Sequence, residues 1–189
     1  MRWNFWTGFT ALALLMLGFY LLNPLGPASL DPRARLAGYV PYQVPANSMA
    51  PTLLAGDHIL SSVWAYVGKE PARGDVVVFV SPLNDIGYVK RIIGLPGDRL
   101  AMHDHRVYIN GKLLDEPYLP PAPTIETPHQ DYGNLAETHI ADGEFFMLGD
   151  NRRNSADSRL WGSVPRANLI GRVERIWWAQ DPQRTGKVR

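Results

Sequence analysis

Two side chains of this sequence stand in settings suited to nucleophilic chemistry. Ser48 lies in Val44-Pro45-Ala46-Asn47-Ser48-Met49-Ala50-Pro51-Thr52-Leu53. The prolines at 45 and 51 fix the chain on either side and remove backbone donors, so the serine is held in a constrained turn. A serine presented this way is a nucleophile when a base lies within reach; otherwise it is an ordinary turn serine bonding its own backbone. Lys90 lies in Tyr88-Val89-Lys90-Arg91-Ile92-Ile93. Read as a strand, this run puts Tyr88, Lys90 and Ile92 on one face and Val89, Arg91 and Ile93 on the other. A ring and a branched aliphatic then flank the amine, exclude water and disfavour the ammonium form. An ordinary lysine, near pKa 10.4, is neutral only about 0.04% of the time at pH 7. Lowered to about 8 it is neutral about 10% of the time, at a cost of roughly 3 kcal/mol. A neutral amine accepts a hydroxyl proton, so Ser48 with Lys90 is a workable nucleophile and base. A strand lysine that snorkels or pairs with a carboxylate is the commoner case.

The five histidines are rival bases: His58 at a strand start, His103 and His105 around Asp104, His129 and His139. A Ser-His-Asp triad stays open, because its members need not be near one another in sequence. His103 and His105 lack a clear third ligand and make a weak metal site.

These side chains need a rigid support, and the pattern of the chain points to an all-β one. Asp75–Val80 (DVVVFV) is a continuous apolar run, as for a strand buried on both faces. His58–Val67, Tyr88–Ile93, Glu144–Leu148 and Leu169–Ala179 supply further strands. Asn110-Gly111 between VYI and KLL predicts a tight hairpin within Arg106–Leu114. Asp115–Asp142 departs from this pattern: Pro117, Pro120, Pro121, Pro123 and Pro128 stand among polar residues. It reads as an excursion from the β-core with at most a short hairpin of its own. The fold class expected is mainly β, a compact antiparallel sandwich or partly open barrel, preceded by one N-terminal transmembrane helix.

That helix is read from Trp3–Leu22, about twenty residues without a charge and roughly 30 Å long, the thickness of a hydrocarbon core. Aromatic residues stand at both ends and Asn23-Pro24 ends it. The stretch is longer than the apolar core of a cleaved secretory signal, and Pro27-Ala28-Ser29 is a poor cleavage site. A buried core helix is the other reading. The expected organisation is an anchor at 1–23, a linker at 24–38, and a β-rich domain at 39–189 with the excursion at 115–142. Charge alone leaves the orientation open, since Arg2 stands on one side of the helix and Arg33 and Arg35 on the other.

Composition narrows the function classes. The chain has 189 residues, a net charge of +1 and no cysteine, which excludes disulfide scaffolds, thiolate-held metals and a cysteine nucleophile. Arg2 is the one charged side chain before Asp31, so the remainder is neutral, with no basic stripe for nucleic acid.

Several stretches together resemble the type I signal peptidases, membrane-bound serine proteases that remove signal peptides from exported proteins. Ser48-Met49-Ala50-Pro51-Thr52-Leu53 resembles the family's nucleophile motif, and Gly74-Asp75-Val76-Val77-Val78-Phe79 its central strand. Lys90-Arg91-Ile92-Ile93-Gly94-Leu95-Pro96-Gly97-Asp98 resembles its lysine motif. Gly149-Asp150-Asn151-Arg152, with Asn154-Ser155, Asp157-Ser158-Arg159 and Trp161-Gly162, resembles its last motif. The resemblance implies Ser48 as nucleophile and Lys90 as general base, with Ser155 orienting the amine. It implies a structural ion pair of Asp157 and Arg159, a supporting turn at Asp150 and Asn151, and no metal or cofactor. As an ordinary surface pair, Asp157 and Arg159 would contribute under about 1 kcal/mol.

The oxyanion hole would use the Ser48 backbone N–H, while Ala46 lacks the hydroxyl many members carry there. The loss of one such donor typically costs about 2.7–4 kcal/mol of transition-state stabilisation. The implied partners are signal peptides of preproteins and the lipid bilayer, at the plasma or inner membrane, single-pass, with the catalytic domain on the extracytoplasmic side. Trp64, Trp177 and Trp178 are candidates for the lipid interface, with core packing the alternative. Two other functions remain: a specialised conjugal-transfer or pilin-processing peptidase sharing the dyad, and a non-catalytic, membrane-tethered peptide-binding β-domain.

Overall fold

A computed structural model of the chain describes residues 4–24, 26, 30–120 and 133–188. Helix α1 (Phe5–Leu22) begins where Asn4 and Thr7 cap each other: the Thr7 N–H donates to Asn4 Oδ1 at 2.9 Å and the Asn4 N–H to Thr7 Oγ1 at 3.1 Å. It ends where Asn23 turns left-handed at φ 46°. No residue of α1 is buried, which excludes the core-helix reading. Its 18 residues span about 27 Å and make it a candidate membrane span by length and composition. Trp3, at the start of the apolar stretch, lies outside the described residues.

Beyond α1, the Tyr20 hydroxyl donates to the Leu30 carbonyl at 2.8 Å, and the Arg35 guanidinium lies 5.0 Å from the Tyr20 ring centre. A single π-helical turn (Arg33–Ala37) then ends at Gly38, at φ 73°. The Trp64 ring lies so close to Gly38 that a Cβ there would overlap it, and the Trp64 indole N–H donates to the Ala37 carbonyl at 3.1 Å.

The β domain consists of β1 (Tyr39–Gln43), β2 (His58–Ser62), β3 (Val76–Val80), β4 (Gly87–Gly94), β5 (Arg99–His103), β6 (Arg106–Ile109), β7 (Lys112–Leu113), β8 (Leu135–His139), β9 (Glu144–Leu148), β10 (Val164–Pro165), β11 (Leu169–Trp178) and β12 (Gly186–Lys187). A short helix, α2 (Ser158–Trp161), lies between β9 and β10. The larger sheet runs β1-β2-β11-β3-β4-β9-β10, with β12 beside β11. A four-stranded sheet runs β7-β6-β5-β8. All these pairings are antiparallel, so the class is mainly antiparallel β, as expected.

The alternation of β3 explains its continuous apolar run. Val76 and Val78 join a core with Val44, Met49, Leu53 and Ile59; Val77 and Phe79 join another with Ile92, Phe145 and Met147. A third core, around Ile93, Leu100, Met102, Ile140 and Phe146, joins the four-stranded sheet to β4 and β9. The expected hairpin is present, with Asn110 at φ 52° and Gly111 at φ 77°, both left-handed as a two-residue turn requires.

Three features differ from expectation. The strand at His58 stops at Ser62, and Trp64–Tyr66 form a 3-10 turn. In the segment expected to hold at most its own hairpin, Leu135–His139 instead pairs with β5, with Arg99 opposite His139. The segment thus completes the second sheet. Pro121, Pro123, Pro128 and His129 lie outside the described residues. Finally, β1 was not anticipated because Pro41 interrupts its pattern; as the outermost strand of its sheet, it tolerates a missing donor.

Candidate active site

Strand β4 carries Lys90 opposite Val77 of β3, deep in the larger sheet, and its side chain is 2% exposed. Ser48 stands on a 3-10 turn (Asn47–Met49) that packs against β4. The two meet across 42 positions of sequence, with Lys90 Nζ 2.8 Å from Ser48 Oγ and 3.1 Å from the Val89 carbonyl. The Tyr88 ring lies 5.4 Å from the amine, on the flank expected from strand alternation. Burial is the main cause of a pKa lowered to about 8; Asp157 and Asp150 oppose the shift, and Arg159 adds to it.

The pair lines a cleft of about 450 Å³, together with the rest of residues 42–48 and 86–90. Ile59 and Val78 add apolar lining, and Ala46 has only a methyl group to present to it. Among the described residues no histidine lines it. His58 is wedged between Trp177 and Trp178, with ring centres 5.3 and 5.0 Å away, and His103 packs on Tyr108. The three tryptophans named for the lipid interface are each about half exposed, so none is a core residue.

The supporting residues come from the segment after β9. Asn151 holds the nucleophile turn twice: its backbone N–H donates to the Ser48 carbonyl at 3.1 Å and its side-chain amide to the Asn47 carbonyl at 3.0 Å. Asp157 caps α2 and accepts the Gly149 N–H at 3.0 Å. Arg159 grips Asp157 with two bonds of 2.8 Å, and the pair is 1% and 0% exposed, so the surface-pair alternative does not describe it. Ser155 is buried beside the site, with its hydroxyl 3.5 Å from the Ala156 carbonyl; the hydrogen bonds of Lys90 go to Ser48 and Val89.

Asp150 does more than shape a turn. Its carboxylate is bidentate to Arg91, at 2.9 and 2.7 Å, and accepts the Thr52 hydroxyl at 2.5 Å. Arg91 also donates to the Gly74 carbonyl at 2.7 Å, and Tyr118 stacks over it at 3.8 Å. Arg152 bonds the Gly149 carbonyl and pairs with Glu116. Thr52, Arg91 and Arg152 stand within the motifs quoted above without a role of their own there, and nothing local in the sequence singles out Glu116 or Tyr118. A signal was present for Arg91: an arginine inside an apolar strand requires a buried carboxylate. Gly149 has its own reason, because a Cβ there would overlap the Ser48 carbonyl and the Ser155 hydroxyl.

An antiparallel β domain with a serine and a desolvated lysine in contact defines a class of protein in which a hydroxyl is paired with an amine. A family model described as signal peptidase, peptidase S26, matches residues 32–178. The chain belongs to that family. It is 39% identical over 142 residues to a probable signal peptidase I-2 of Synechocystis, covering 71% of this chain and 61% of the relative. It is 41% identical over 143 residues to a signal peptidase I of Leptolyngbya laminosa, covering 71% and 66%. To signal peptidase IB of Staphylococcus aureus it is 35% identical over 150 residues, covering 73% and 77%. The chain thus spans less than two thirds of the length of the first two. A crystal structure of a signal peptidase I from Enterococcus faecalis matches 55% of this chain and 97% of its own, at 36% identity and a TM-score of 0.47.

Proposed function

We propose that this chain is a serine endopeptidase that removes signal peptides from preproteins, with Ser48 as nucleophile and Lys90 as general base. In this reading residues 1–23 anchor the chain once in the membrane and 24–38 link the anchor to a catalytic domain at 39–189, on the extracytoplasmic side. The lipid bilayer is then a partner as well as the substrate. The observation that carries the reading is the 2.8 Å contact between a buried amine and a hydroxyl that both line the cleft.

The chemistry follows from that contact. Neutral Lys90 takes the Ser48 proton as Oγ attacks the carbonyl carbon of the scissile bond, giving a tetrahedral oxyanion beside the Ser48 backbone N–H. The ammonium then protonates the departing amine, leaving an acyl-enzyme on Ser48. Lys90, neutral again, takes a proton from water as the water oxygen attacks the ester, and returns it to Ser48 Oγ as the C–O bond breaks and the carboxylic acid product leaves. An extended substrate would lie along residues 42–46 and 86–89, reading backbone everywhere and side chains only where Ile59 and Val78 line the cleft. Asp150, Asn151, Asp157 and Arg159 act by holding the turn and α2; Ser155 would orient the amine after a rotation of its hydroxyl.

Cleavage of a synthetic signal-peptide substrate by the full chain in detergent tests this. With the working form neutral and the pKa near 8, kcat/KM is expected to rise about tenfold per pH unit below 8 and level off above it. Ser48→Ala is expected to be inactive at every pH. A midpoint near 6.5, the ordinary histidine value, would overturn the assignment of the base.

Ala46→Ser is expected to leave kcat intact or to raise it, by up to about 10²-fold where the new hydroxyl reaches the oxyanion. A tenfold fall would show that the space beside Ala46 is already needed for the substrate.

A further inference from the structure

The family match ends at residue 178, yet the chain beyond it returns to the nucleophile turn. Asp181 caps a short 3-10 turn (Pro182–Arg184), accepting the Gln183 N–H at 3.0 Å. β12 then pairs with Arg175 and Ile176 of β11, and the Val188 N–H donates to the Glu174 carbonyl at 3.1 Å. Val188 packs on the core that holds Met49 and Leu53, the neighbours of Ser48 on its C-terminal side.

From this tail the Arg184 guanidinium reaches three acceptors on one loop. It donates to the Pro51 carbonyl at 3.2 Å, the Thr52 carbonyl at 3.3 Å and Asp57 Oδ2 at 2.8 Å. Asp57 is 3% exposed, and its other carboxylate contact is the Leu54 N–H, at 2.8 Å on the same oxygen. The loop is also closed at its ends: the Val44 N–H donates to the Asp57 carbonyl and the Gly56 N–H to the Val44 carbonyl, both at 2.8 Å. Ser48 thus stands inside a ring of chain from 44 to 57. Asn151 and Asp150 hold this ring at Asn47, Ser48 and Thr52, and Arg184 holds it at Pro51, Thr52 and Asp57.

We propose that Arg184 is a positioning residue for the nucleophile, with the C-terminal tail acting as a strap that holds residues 51–57 and so keeps Ser48 Oγ on Lys90. The physical reason is the acceptor set. Two carbonyls and a buried carboxylate at one place need a cation with a fixed fork of donors. Without it the Asp57 charge keeps a single backbone donor, and the loop relaxes toward water to solvate it. A shift of about 1 Å in a reacting atom costs on the order of 10²-fold in rate. The inference deepens the proposed function, since the geometry it protects is the Ser48–Lys90 contact.

The test compares full-chain wild type, Arg184→Ala and Arg184→Lys, using the signal-peptide substrate and, separately, amide hydrogen exchange. Arg184→Ala is expected to lower kcat about 10- to 100-fold. KM is expected to stay within about threefold and the pH midpoint unchanged, because Lys90 and the substrate cleft are untouched. Amides of residues 49–57 are expected to exchange faster while those of β3 and β4 do not change. Added guanidinium ion is expected to restore part of the loss in Arg184→Ala. Arg184→Lys is expected to fall between, since one ammonium cannot satisfy the same three acceptors, and it gives the same comparison if the alanine variant does not fold. A kcat within twofold of wild type, or faster exchange spread evenly over β3 and β4, would overturn the proposal. Wild type that cleaves no signal peptide would remove the proposed function, and exchange in the loop would still decide the role of Arg184.

Discussion

Lys90→Met is expected to abolish cleavage, by about 10⁴-fold or more, in a protein at least as stable as wild type. The first part follows from the loss of the base in contact with Ser48, since removing a member of a coupled catalytic set costs nearly the whole effect. The second follows from the burial of the amine. A lysine 2% exposed, with its pKa lowered to about 8, keeps its proton at pH 7 only at a cost of roughly 3 kcal/mol relative to the unfolded chain. The folded-state pKa lies below the unfolded one, so this cost is fully present below pH 8 and fades as the pH rises toward about 10.4. Methionine has similar length and no charge, and it removes the cost. Urea unfolding at pH 7 and pH 10, beside cleavage assays, checks both statements: a stability gain at pH 7 that shrinks at pH 10, with no turnover at either. Lys90→Arg is expected to be inactive as well, because guanidinium stays charged and accepts no proton. Turnover in Lys90→Met within tenfold of wild type would place the base elsewhere.

Asp150→Ala is expected to destabilise the fold by about 3–5 kcal/mol, the largest stability loss anticipated for a single substitution here. Arg91 and Asp150 are 1% and 0% exposed, so removing the carboxylate takes both charge-paired bonds from a guanidinium held in the core. The Thr52 hydroxyl loses its acceptor too, and it lies four residues from Ser48, so cleavage should fall with stability. The double variant Arg91→Met/Asp150→Leu separates the two effects. Replacing both charges by apolar groups is expected to recover most of the stability, because a buried pair contributes little beyond its own desolvation. Chemical denaturation of the single and double variants is the measurement; a single variant within about 1 kcal/mol of wild type would show that water reaches Arg91.

How much of this was legible in the sequence depended on how local the cause is. The β3 run, the Asn110-Gly111 hairpin and the alternation around Lys90 are decided by neighbours in the chain, and each is seen in the structure where the pattern put it. Strands β5 and β8 were not anticipated. Arg99-Leu100-Ala101-Met102-His103 is too short and mixed to stand out, and Leu135–His139 becomes a strand only because β5 offers it an edge. At the site, the Ser48–Lys90 contact was anticipated through strand direction and family resemblance together. The partners of Arg91 were not, because Asp150 lies 59 residues away and Tyr118 sits at the edge of a segment read as irregular. Burial of Asp157 and Arg159 was equally hidden: spacing two apart in sequence describes a surface pair as well as a core one.

The two carboxylates that act on Lys90, Asp150 and Asp157, are each bound to an arginine of their own. Neither is left as a dedicated counter-ion for the amine. In the proposed cycle, Lys90 with its pKa near 8 is basic enough to lift the proton from Ser48 and acidic enough to hand it to the departing amine. Lys90 returns to its neutral form after each half of the reaction, and Ser48 is free again only after the second.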